Sequence, residues 1–396
     1  MEFEIWWLIL LPVLFALGWF AARIDIKHLL ANSNLLPRQY FEGLNHLLNN
    51  RHDLAIEVFA DLARSHQQPV ELQFALGHLF RRKGEVERAV QMHQTLLSRL
   101  DLSSLDKQAI QYELALDFMK AGLFDRAEEL LTKLQNTDYS REARRHLLVI
   151  YQQEKDWQRA IEVAESLNDS SHQHEIAEFY CELAVKAMTQ SQSAKAHRYL
   201  QQALLTHRKC VRASLLLGDL AAQQQQWQKA IDRWLKIESQ NHLYLPMAAQ
   251  RLLNAYHALQ RDQEGTALLC GLLDNYPELD MIGMVYQHLV LEKGSEAAYC
   301  WLSQQIRRKP TVLGLIQFFE AQCQSASEHN EHKNDLEIML QLLQAQFSQA
   351  AMYHCSDCGF KAYQYFWHCP ACNAWESFFP IRGQHKLLEG DGLVQI

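Results

Sequence analysis

The sequence predicts an all-α protein in three parts: an N-terminal transmembrane helix, a solenoid of helical repeats and a small C-terminal module built around four cysteines. Three observations predict this. They are an uncharged apolar run at residues 5–22, a small residue that recurs about every 34 positions, and two C-x2-C pairs within residues 355–372. Only 15 glycines and 8 prolines occur among 396 residues, which leaves few positions for βα turns and hairpins.

The charge balance limits the partners of the chain. Lys and Arg total 38 against 46 Asp and Glu, which gives a net charge of −8, and the isoelectric point is about 6.2. A dedicated nucleic-acid binder normally carries a strongly basic domain or stripe. The composition therefore argues against nucleic acid as a partner.

The nine cysteines are distributed unevenly: four lie within residues 355–372 and five are scattered singly. An odd, clustered set suits reduced thiols plus a metal site better than a secreted disulfide framework. We expect the scattered thiols to pack as small hydrophobic residues, as on the packed side of a helix. They are Cys181, Cys210, Cys270, Cys300 and Cys323.

Residues 5–22, IWWLILLPVLFALGWFAA, form a run of 18 uncharged residues. As a helix the run would span roughly 27 Å, just enough for a hydrocarbon core of about 30 Å. A cleavable signal peptide is the alternative, but Glu2 and Glu4 stand where such a peptide carries Lys or Arg, and no A-x-A site follows. We therefore predict a retained anchor over residues 1–22 and a juxtamembrane linker over residues 23–36.

The flanking charges set the predicted orientation of the anchor. Arg23, Lys27 and Arg38 follow the apolar run, and positively charged flanks stay in the cytoplasm. The bulk of the chain is therefore expected in the cytoplasm, with the N-terminus across the membrane. Pro12 would either kink the helix or offer a surface to a partner in the bilayer.

A repeat fills the region between the anchor and the cysteine cluster. A period near 34 residues is typical of tetratricopeptide (TPR) units, each a pair of helices A and B. Small residues recur where helix A crosses helix B, because only short side chains let the backbones approach. We predict a TPR solenoid over residues 37–350, with about seven repeats and further helices from about Ser295 and Thr311. The aligned helix B positions are Ala55, Ala89, Ala127, Ala160, Ala196, Ala230 and Ala267. The helix A positions twelve residues earlier are small in six of seven repeats: Gly43, Gly77, Ala115, Leu148, Ala184, Gly218 and Ala255.

The A helices of such a solenoid line a long groove that can hold a partner protein. Fewer than a third of the residues in an interface usually carry much binding energy, so most candidates on this face would only be solvated. The candidate partner-binding residues are Tyr40, His78, Arg81, Tyr112, Arg145, Arg212 and Asp219.

The sequence shows no recognisable catalytic machinery. It contains no nucleophile elbow, Walker loop, dinucleotide fingerprint or H-E-x-x-H motif, so we do not expect an enzyme. His172 and His174 in the polar stretch NDSSHQHE could be half of a metal site. Without further ligands we interpret them as polar loop residues.

The segment HCSDCGFKAYQYFWHCPACNAW carries the pattern C-x2-C-x10-C-x2-C. This spacing predicts one tetrahedral four-cysteine metal site, and we expect Gly359 and Pro370 to help make the sharp turns within the two pairs. Zinc is the default ion for a closed tetrathiolate site, and iron, which takes the same sulfur set, is the alternative. The predicted ligands are Cys355, Cys358, Cys369 and Cys372.

Aromatic residues are concentrated around this site, with nine between residues 353 and 379. A module this small cannot bury them all internally. Either they dock the module onto the last solenoid helix, for which residues 336–347 offer an apolar stripe, or they form a partner site. Docking is the favoured hypothesis. His354 and His368 precede cysteines, but four thiolates already complete the metal shell.

Several stretches together resemble the lipopolysaccharide assembly protein B family (LapB, also called YciM) of Gram-negative bacteria. The order of anchor, TPR solenoid, rubredoxin-like domain over residues 351–383 and tail over residues 384–396 is similar as well. The stretches are LFRRKGEVERAVQMHQTLL (79–97), AGLFDRAEEL (121–130), EIAEFYCELA (175–184), WHCPACNAW (367–375) and PIRG (380–383).

The resemblance implies a single-pass inner-membrane protein with a periplasmic N-terminus and a cytoplasmic solenoid and metal domain. It further implies a non-catalytic adaptor that brings the lipid A deacetylase LpxC to the membrane protease FtsH for degradation. A periplasm-sensing inner-membrane regulator would restrain the adaptor, and other lipopolysaccharide-assembly proteins are further candidate partners. Two alternatives stay open: a scaffold for lipopolysaccharide-assembly or envelope enzymes, and a rubredoxin-like electron carrier.

Overall fold

The computed structural model covers most of the predicted solenoid and the metal module. The predicted anchor, the linker, Tyr40 and the tail lie outside the described residues. Within the described part, no helix combines the length and apolarity needed to cross a membrane. The chain forms two compact units, unit 1 ending at Ile150 and unit 2 beginning at Tyr151. The described residues are 42–43, 45–46, 49, 51–62, 70–167, 169–325, 331–349 and 353–379.

Unit 1 consists of helices that pack in consecutive pairs, as the period predicts. They are α1 (His52–Leu62), α2 (Val70–Lys83), α3 (Val86–Leu97), α4 (Ser104–Lys120), α5 (Phe124–Lys133) and, up to Ile150, α6 (Ser140–Gln153). Local sequence sets their ends. Helix α4 begins with a capping box, in which the side chains of Ser103 and Asp106 each accept a hydrogen bond from the backbone N–H of the other.

Unit 2 continues the helix pairs and ends in a small two-stranded module. Its helices are α7 (Trp157–Ser166), α8 (Gln173–Thr189), α9 (Ser193–Thr206), α10 (Val211–Gln223), α11 (Trp227–Asn241), α12 (Leu245–Ala258), α13 (Asp262–Asn275), α14 (Ile282–Lys293), α15 (Ser295–Arg308), α16 (Val312–Ser325) and α17 (Glu331–Gln349). Two 3-10 turns, Ser170–His172 and His242–Tyr244, precede α8 and α12. Helices α15 and α16 confirm the two further helices predicted from the sequence.

Close approach of helix A to helix B explains the small residues. The predicted helix B alanines from Ala55 to Ala230 are fully buried. A Cβ added at Gly77 would lie 2.3 Å from the His93 ring, and one at Gly218 would lie 2.1 Å from the Trp234 ring. Only glycine leaves room for these rings, so the glycine–ring contact fixes how the two helices of the pair meet.

An arginine at the start of helix B covers an aromatic residue of helix A. Phe80 and Tyr151, each three residues after an aligned helix A position, are buried. The Arg88 guanidinium lies 4.0 Å from the Phe80 ring centroid, and that of Arg159 lies 4.5 Å from the Tyr151 centroid. Each such cation–π contact contributes about 0.5–1 kcal/mol at an exposed site. The arginines that directly precede the buried Ala89 and Ala160 therefore have a packing role.

The seventh repeat departs from the predicted alignment by two residues. Ala267, placed at the buried helix B position, is exposed, whereas Gly265 is buried against Tyr256. Gly265 is the fourth residue of α13, as Ala230 is the fourth residue of α11. Glycine takes the small position here, so aligning on alanine was wrong at this repeat, and Leu253 stands at the matching helix A position.

Candidate metal centre and its docking groove

The metal module, called the ribbon below, comprises the described residues 353–379. Strand β1 (Tyr353–His354) pairs antiparallel with β2 (Lys361–Ala362), with Tyr353 opposite Ala362. Isolated bridges join Cys355 to Phe378 and His368 to Trp375. These short pairings hold two turns, each carrying one C-x2-C pair, next to each other.

Each C-x2-C pair is closed by a residue with left-handed backbone. Gly359, with φ of +73°, donates its N–H to the Cys355 carbonyl at 3.0 Å. Asn373, with φ of +60°, donates to the Cys369 carbonyl at 2.9 Å. The prediction for Gly359 is confirmed. In the second pair the residue after the last cysteine, and not Pro370 alone, makes the turn, because asparagine tolerates this conformation better than most side chains.

The four sulfurs converge on one point. All four Sγ atoms of Cys355, Cys358, Cys369 and Cys372 lie within 4.8 Å of one another. The Cys355–Cys372 and Cys358–Cys369 separations are 3.6 and 3.8 Å. Bonds of about 2.3 Å from zinc to sulfur give a tetrahedron with edges of about 3.8 Å. The donor set and its size therefore fit one tetrahedral metal ion.

Burial and hydrogen bonding prepare the ligands unequally. Cys355 and Cys369 are buried, whereas Cys358 and Cys372 are exposed, so one side of the site faces solvent. Burial raises the pKa of Cys355, but hydrogen bonds from the Ser377 hydroxyl and from nearby backbone N–H groups outweigh it and lower the pKa to about 6. Hydrogen bonds that favour the thiolate favour the form that binds a metal.

Trp375 anchors the ribbon to the helices of unit 2. Its ring meets Trp157 of α7 and Phe179 of α8 edge-on, with centroids 5.9 and 6.0 Å apart. Trp157 and Phe179 stack on each other at 5.6 Å. Only 8% of Trp375 is exposed. Each aromatic pair of this kind contributes about 0.5–1.5 kcal/mol beyond the burial of its area.

Trp367 forms a second anchor on the A-helix face. It stacks on Tyr244 of the second 3-10 turn, with centroids 5.8 Å apart and planes inclined by 8°. The guanidinium carbon of Arg212 on α10 lies 5.5 Å from the Trp367 centroid. Arg212, a candidate partner-binding residue, therefore contacts the ribbon of its own chain.

Polar contacts complete the docking interface. The Tyr244 hydroxyl lies 3.2 and 3.3 Å from the backbone carbonyls of Glu376 and Phe378, to which it donates. Nε2 of His174 on α8 lies 2.9 Å from Oε2 of Glu376. The sequence placed His174 in a polar loop, but it belongs to α8 and pairs with a residue 202 positions later.

A buried ion cluster lies beside the Trp367 contact. Arg212 donates to Glu178 at 3.1 Å and to Glu182 at 2.7 Å. The Cys210 thiol donates to Glu178 at 3.5 Å, and the sulfurs of Cys210 and Cys181 are 3.7 Å apart. Both thiols are fully buried, in agreement with their predicted packing role. Cys300 is exposed, so the packing role predicted for all five scattered cysteines was wrong at that position.

The predicted docking position was wrong, although docking itself occurs. Ile338, Met339 and Leu342 of α17 remain 49%, 51% and 63% exposed. These three exposed side chains are aliphatic, so they offer no ring to stack on Trp375 and no partner for the Glu376 carboxylate. The A-helix face of unit 2 offers both, which explains the preference.

Comparison with known proteins finds the same two-part organisation. Residues 353–380 match the family described as rubredoxin metal binding domain, and residues 72–108, 112–171 and 181–240 match tetratricopeptide repeat families. Among solved structures, the C-terminal part of a TPR repeat-containing protein from Cytophaga hutchinsonii is similar at 16% identity and a TM-score of 0.39, over 63% of this chain and 99% of that chain.

Curated relatives match over almost the whole chain. Lipopolysaccharide assembly protein B of Escherichia coli K12 is 32% identical over 380 residues, covering 95% of this chain and 97% of that protein. The protein of the same name from Haemophilus influenzae is 33% identical over 393 residues, covering 95% and 98%. This chain belongs to the lipopolysaccharide assembly protein B family.

The family match and the sulfur geometry both indicate that the ribbon binds a metal ion. The rubredoxin-type match spans all four cysteines, and their sulfurs form one cluster, which supports one bound metal ion. Sulfur spacing suits zinc and iron alike. His354 is exposed, and His368 lies against Trp375 with ring centroids 4.4 Å apart, so neither joins the cluster.

Two candidate partner-binding residues of unit 1, His78 and Arg81, pair with side chains of the next repeat. His78 lies 3.0 Å from Glu113, and Arg81 donates to Glu113 at 2.6 Å and to Asp117 at 2.8 Å. These contacts join α2 to α4, so part of the polar character of this face holds neighbouring repeats together.

The remaining candidates have different surroundings. The Tyr112 hydroxyl lies 3.0 Å from His146, and its ring stacks on Tyr139 at 5.1 Å. Arg145 is exposed on α6. In unit 2, Asp219 accepts a hydrogen bond from Arg251 at 2.7 Å. Partner binding by these residues stays a prediction.

Sequence reasoning missed the residues that hold the ribbon. Trp157, Phe179 and Tyr244 occupy apolar positions that look like ordinary repeat core, and Glu376 looks like a solvated loop residue. One signal was present: the aromatic excess of the ribbon requires a matching set of rings elsewhere. Their position could not be found from spacing, because the contacts join distant parts of the chain.

Proposed function

We propose that this chain is a non-catalytic inner-membrane adaptor that regulates lipopolysaccharide synthesis. It holds the deacetylase LpxC close to the membrane protease FtsH and so promotes degradation of the deacetylase. The names of the relatives support a role in lipopolysaccharide assembly. The TPR repeats support a role in binding rather than catalysis.

The observation that carries the proposal is the unequal cover of the A-helix face. In unit 2 the ribbon covers this face around Arg212 and Tyr244. In unit 1, Arg145 is exposed and a cleft of about 420 Å³ is lined by Leu105, Asp138, Tyr139 and Glu142. We therefore assign the client to unit 1, around Tyr112 and Arg145.

The chemistry of the described residues supports a non-catalytic role. In this part of the chain, two clusters of three or more His, Cys, Asp or Glu side chains could hold a metal: the four ribbon cysteines and the set Glu178, Cys181 and Cys210. The second set is fully buried, so no substrate reaches it. The ribbon thus fixes structure, and the repeats supply the surface.

The predicted anchor supplies the location. A membrane protease degrades what is held near it, and tethering raises the local concentration of a client without new contacts. Residues 1–22 would place the adaptor beside FtsH and beside a periplasm-sensing regulator that restrains it. Other lipopolysaccharide-assembly proteins are further candidate partners.

The test is the half-life of LpxC in cells that depend on a plasmid copy of this chain. We expect depletion to lengthen the half-life, the full chain to restore it, and a chain lacking residues 1–22 to fail although its soluble part folds. A Tyr112→Ala plus Arg145→Ala variant should also fail while remaining anchored. An unchanged half-life on depletion would reject the adaptor and favour the scaffold for envelope enzymes.

A rubredoxin-like electron carrier is the second candidate, favoured by the exposure of Cys358 and Cys372 on one side of the metal site. A redox centre must come close to a partner, and this side permits that. Metal analysis of freshly purified full chain separates the two functions. Iron with a reversible visible absorption supports the carrier, whereas colourless zinc-loaded protein excludes it.

A further inference from the structure

The interface between the ribbon and α8 collects carboxylates away from water. Side-chain exposure is 0% for Glu178, 13% for Glu376 and 27% for Glu182. Arg212 is the permanently charged cation beside these carboxylates. Its side chain is 9% exposed and pairs with Glu178 and Glu182. His174 is a second cation only when it is protonated.

The charges balance only when protons are bound. With His174 neutral and all three carboxylates ionised, Arg212 faces three negative charges in a largely buried site. Protonation of His174 compensates Glu376, and protonation of Glu178 leaves Arg212 paired with Glu182. Buried charge without compensation is costly, so the docked ribbon favours the state that holds both protons.

We propose that ribbon docking is linked to proton binding, with the His174–Glu376 pair and Glu178 acting as a latch that takes up protons as the ribbon docks. When the ribbon leaves, Glu376 moves away from His174 and the α8 carboxylates return to water. The protons are then released. The latch concerns docking alone and holds whether or not the chain is a proteolysis adaptor.

The direction of the pH dependence follows from the two groups. The hydrogen bond to Glu376 raises the pKa of His174. Burial raises the pKa of Glu178 to about 7, against the opposing effect of Arg212. Both docked pKa values exceed the undocked ones. The contribution to docking is therefore complete below the undocked pKa of each group and is lost as the pH rises through its docked pKa.

The other ionisable groups facing the latch do not reverse this direction. His207, whose ring lies edge-on to His174 at 5.3 Å, has its pKa lowered by burial, so it stays neutral near pH 7. Glu178 and Glu182 outweigh burial and raise the pKa of Arg212, which stays charged. The other ionisable side chains on the elements packed against His174 and Glu178 are Glu175, Cys181, Lys209, Cys210, Tyr244, Tyr365 and His368.

The experiment follows opening of the ribbon by hydrogen exchange and mass spectrometry of the full, metal-loaded chain in detergent micelles. Peptides from residues 365–379 are compared across about pH 6 to 8, after correction for intrinsic exchange, and metal content is measured at each pH. We expect the opening equilibrium of the wild type to rise with pH, by up to about tenfold per pH unit for each proton released.

Three variants identify the groups. His174→Gln plus Glu178→Gln should flatten the pH dependence, and His174→Gln alone, at a partly exposed site, should reduce it. His172→Gln is the matched control, because His172 pairs with Glu175 within unit 2 and not with the ribbon. It should keep the wild-type slope.

Three results would overturn the latch. One is wild-type opening that does not change with pH, and another is a double variant that keeps the wild-type slope. The third is ribbon opening that coincides with loss of the metal, at the same pH in the wild type and in the double variant. The pH dependence of opening would then belong to the metal-binding thiolates.

Discussion

Two glutamates at the same repeat position have opposite environments in the two units. Glu142 of α6 and Glu178 of α8 each stand six residues before the aligned helix A position, at Leu148 and Ala184 respectively. Glu142 is exposed and lines a cleft, whereas Glu178 is fully buried beside the ribbon. Position in the repeat fixes which way a side chain points, and the occupant of the A-helix face decides whether it meets water or protein.

Unit 1 also buries charge, but between its own helices. His93 of α3 and Asp117 of α4 are both fully buried and lie 2.5 Å apart, and Arg81 of α2 donates to the same aspartate. In unit 2 the ribbon supplies the corresponding cover. Unit 2 pairs Glu178 with Arg212 of the next repeat in a similar way, but there the ribbon adds the pair between His174 and Glu376.

The largest effect should come from removing the metal. Cys355→Ser plus Cys358→Ser leaves two thiolates, and metal content should fall from about one per chain to below about 0.1, with loss of ribbon structure, because metal binding contributes directly to folding. Metal analysis and thermal unfolding measure this. Cys300→Ser, at an exposed cysteine outside the ribbon, is the control and should change neither quantity. Full metal content in the double variant would refute the site.

Trp375→Ala should separate docking from metal binding. Removal of a ring packed against Trp157 and Phe179 should cost about 3–5 kcal/mol of docking free energy while the four ligands remain. Limited proteolysis of the ribbon and metal analysis report the two effects. Tyr363→Ala removes an aromatic ring that is 67% exposed and should change docking by less than about 0.5 kcal/mol. Equal effects of the two variants would contradict docking through Trp375.

The helix pairs themselves should respond alike in both units. Gly77→Ala and Gly218→Ala each force a Cβ into a ring, that of His93 in unit 1 and that of Trp234 in unit 2. Overpacking of this kind typically costs about 1–3 kcal/mol, measured by denaturant unfolding. If Gly77→Ala left the free energy of unfolding unchanged while Gly218→Ala lowered it, the two units would not share the same helix crossing.

The smallest effect on stability, under about 0.5 kcal/mol, is expected for Arg145→Ala on the exposed face of α6. The same change should weaken capture of LpxC by the detergent-solubilised chain. Arg198→Ala, an exposed arginine on α9, a B helix, is the control. Unchanged capture by the Arg145 variant would move the client away from this part of unit 1.

Local patterns predicted what depends on local geometry. The repeat, the extra helices at Ser295 and Val312, and the four ligands follow from period and spacing, because neighbouring turns and helices decide them. The seventh repeat was misaligned because glycine replaced alanine at Gly265. In each case the signal lay within one or two helices.

The docking site was not predictable in the same way. Its contacts join His174 to Glu376 and Tyr244 to Trp367, pairs separated by well over 100 residues. The aromatic excess indicated that the ribbon must pack on something. Which surface it covers depends on rings and charges that only the folded repeats bring together.

Hydroxyl-radical footprinting of the full chain tests most directly whether the metal-held ribbon covers the A-helix face of unit 2. Wild type is compared with the Cys355→Ser plus Cys358→Ser variant. Oxidation of Trp157, Phe179 and Tyr244 should rise in the variant, while that of Tyr112 and Tyr139 stays constant. Unchanged protection of Trp157, Phe179 and Tyr244, or an equal rise in both units, would contradict the account.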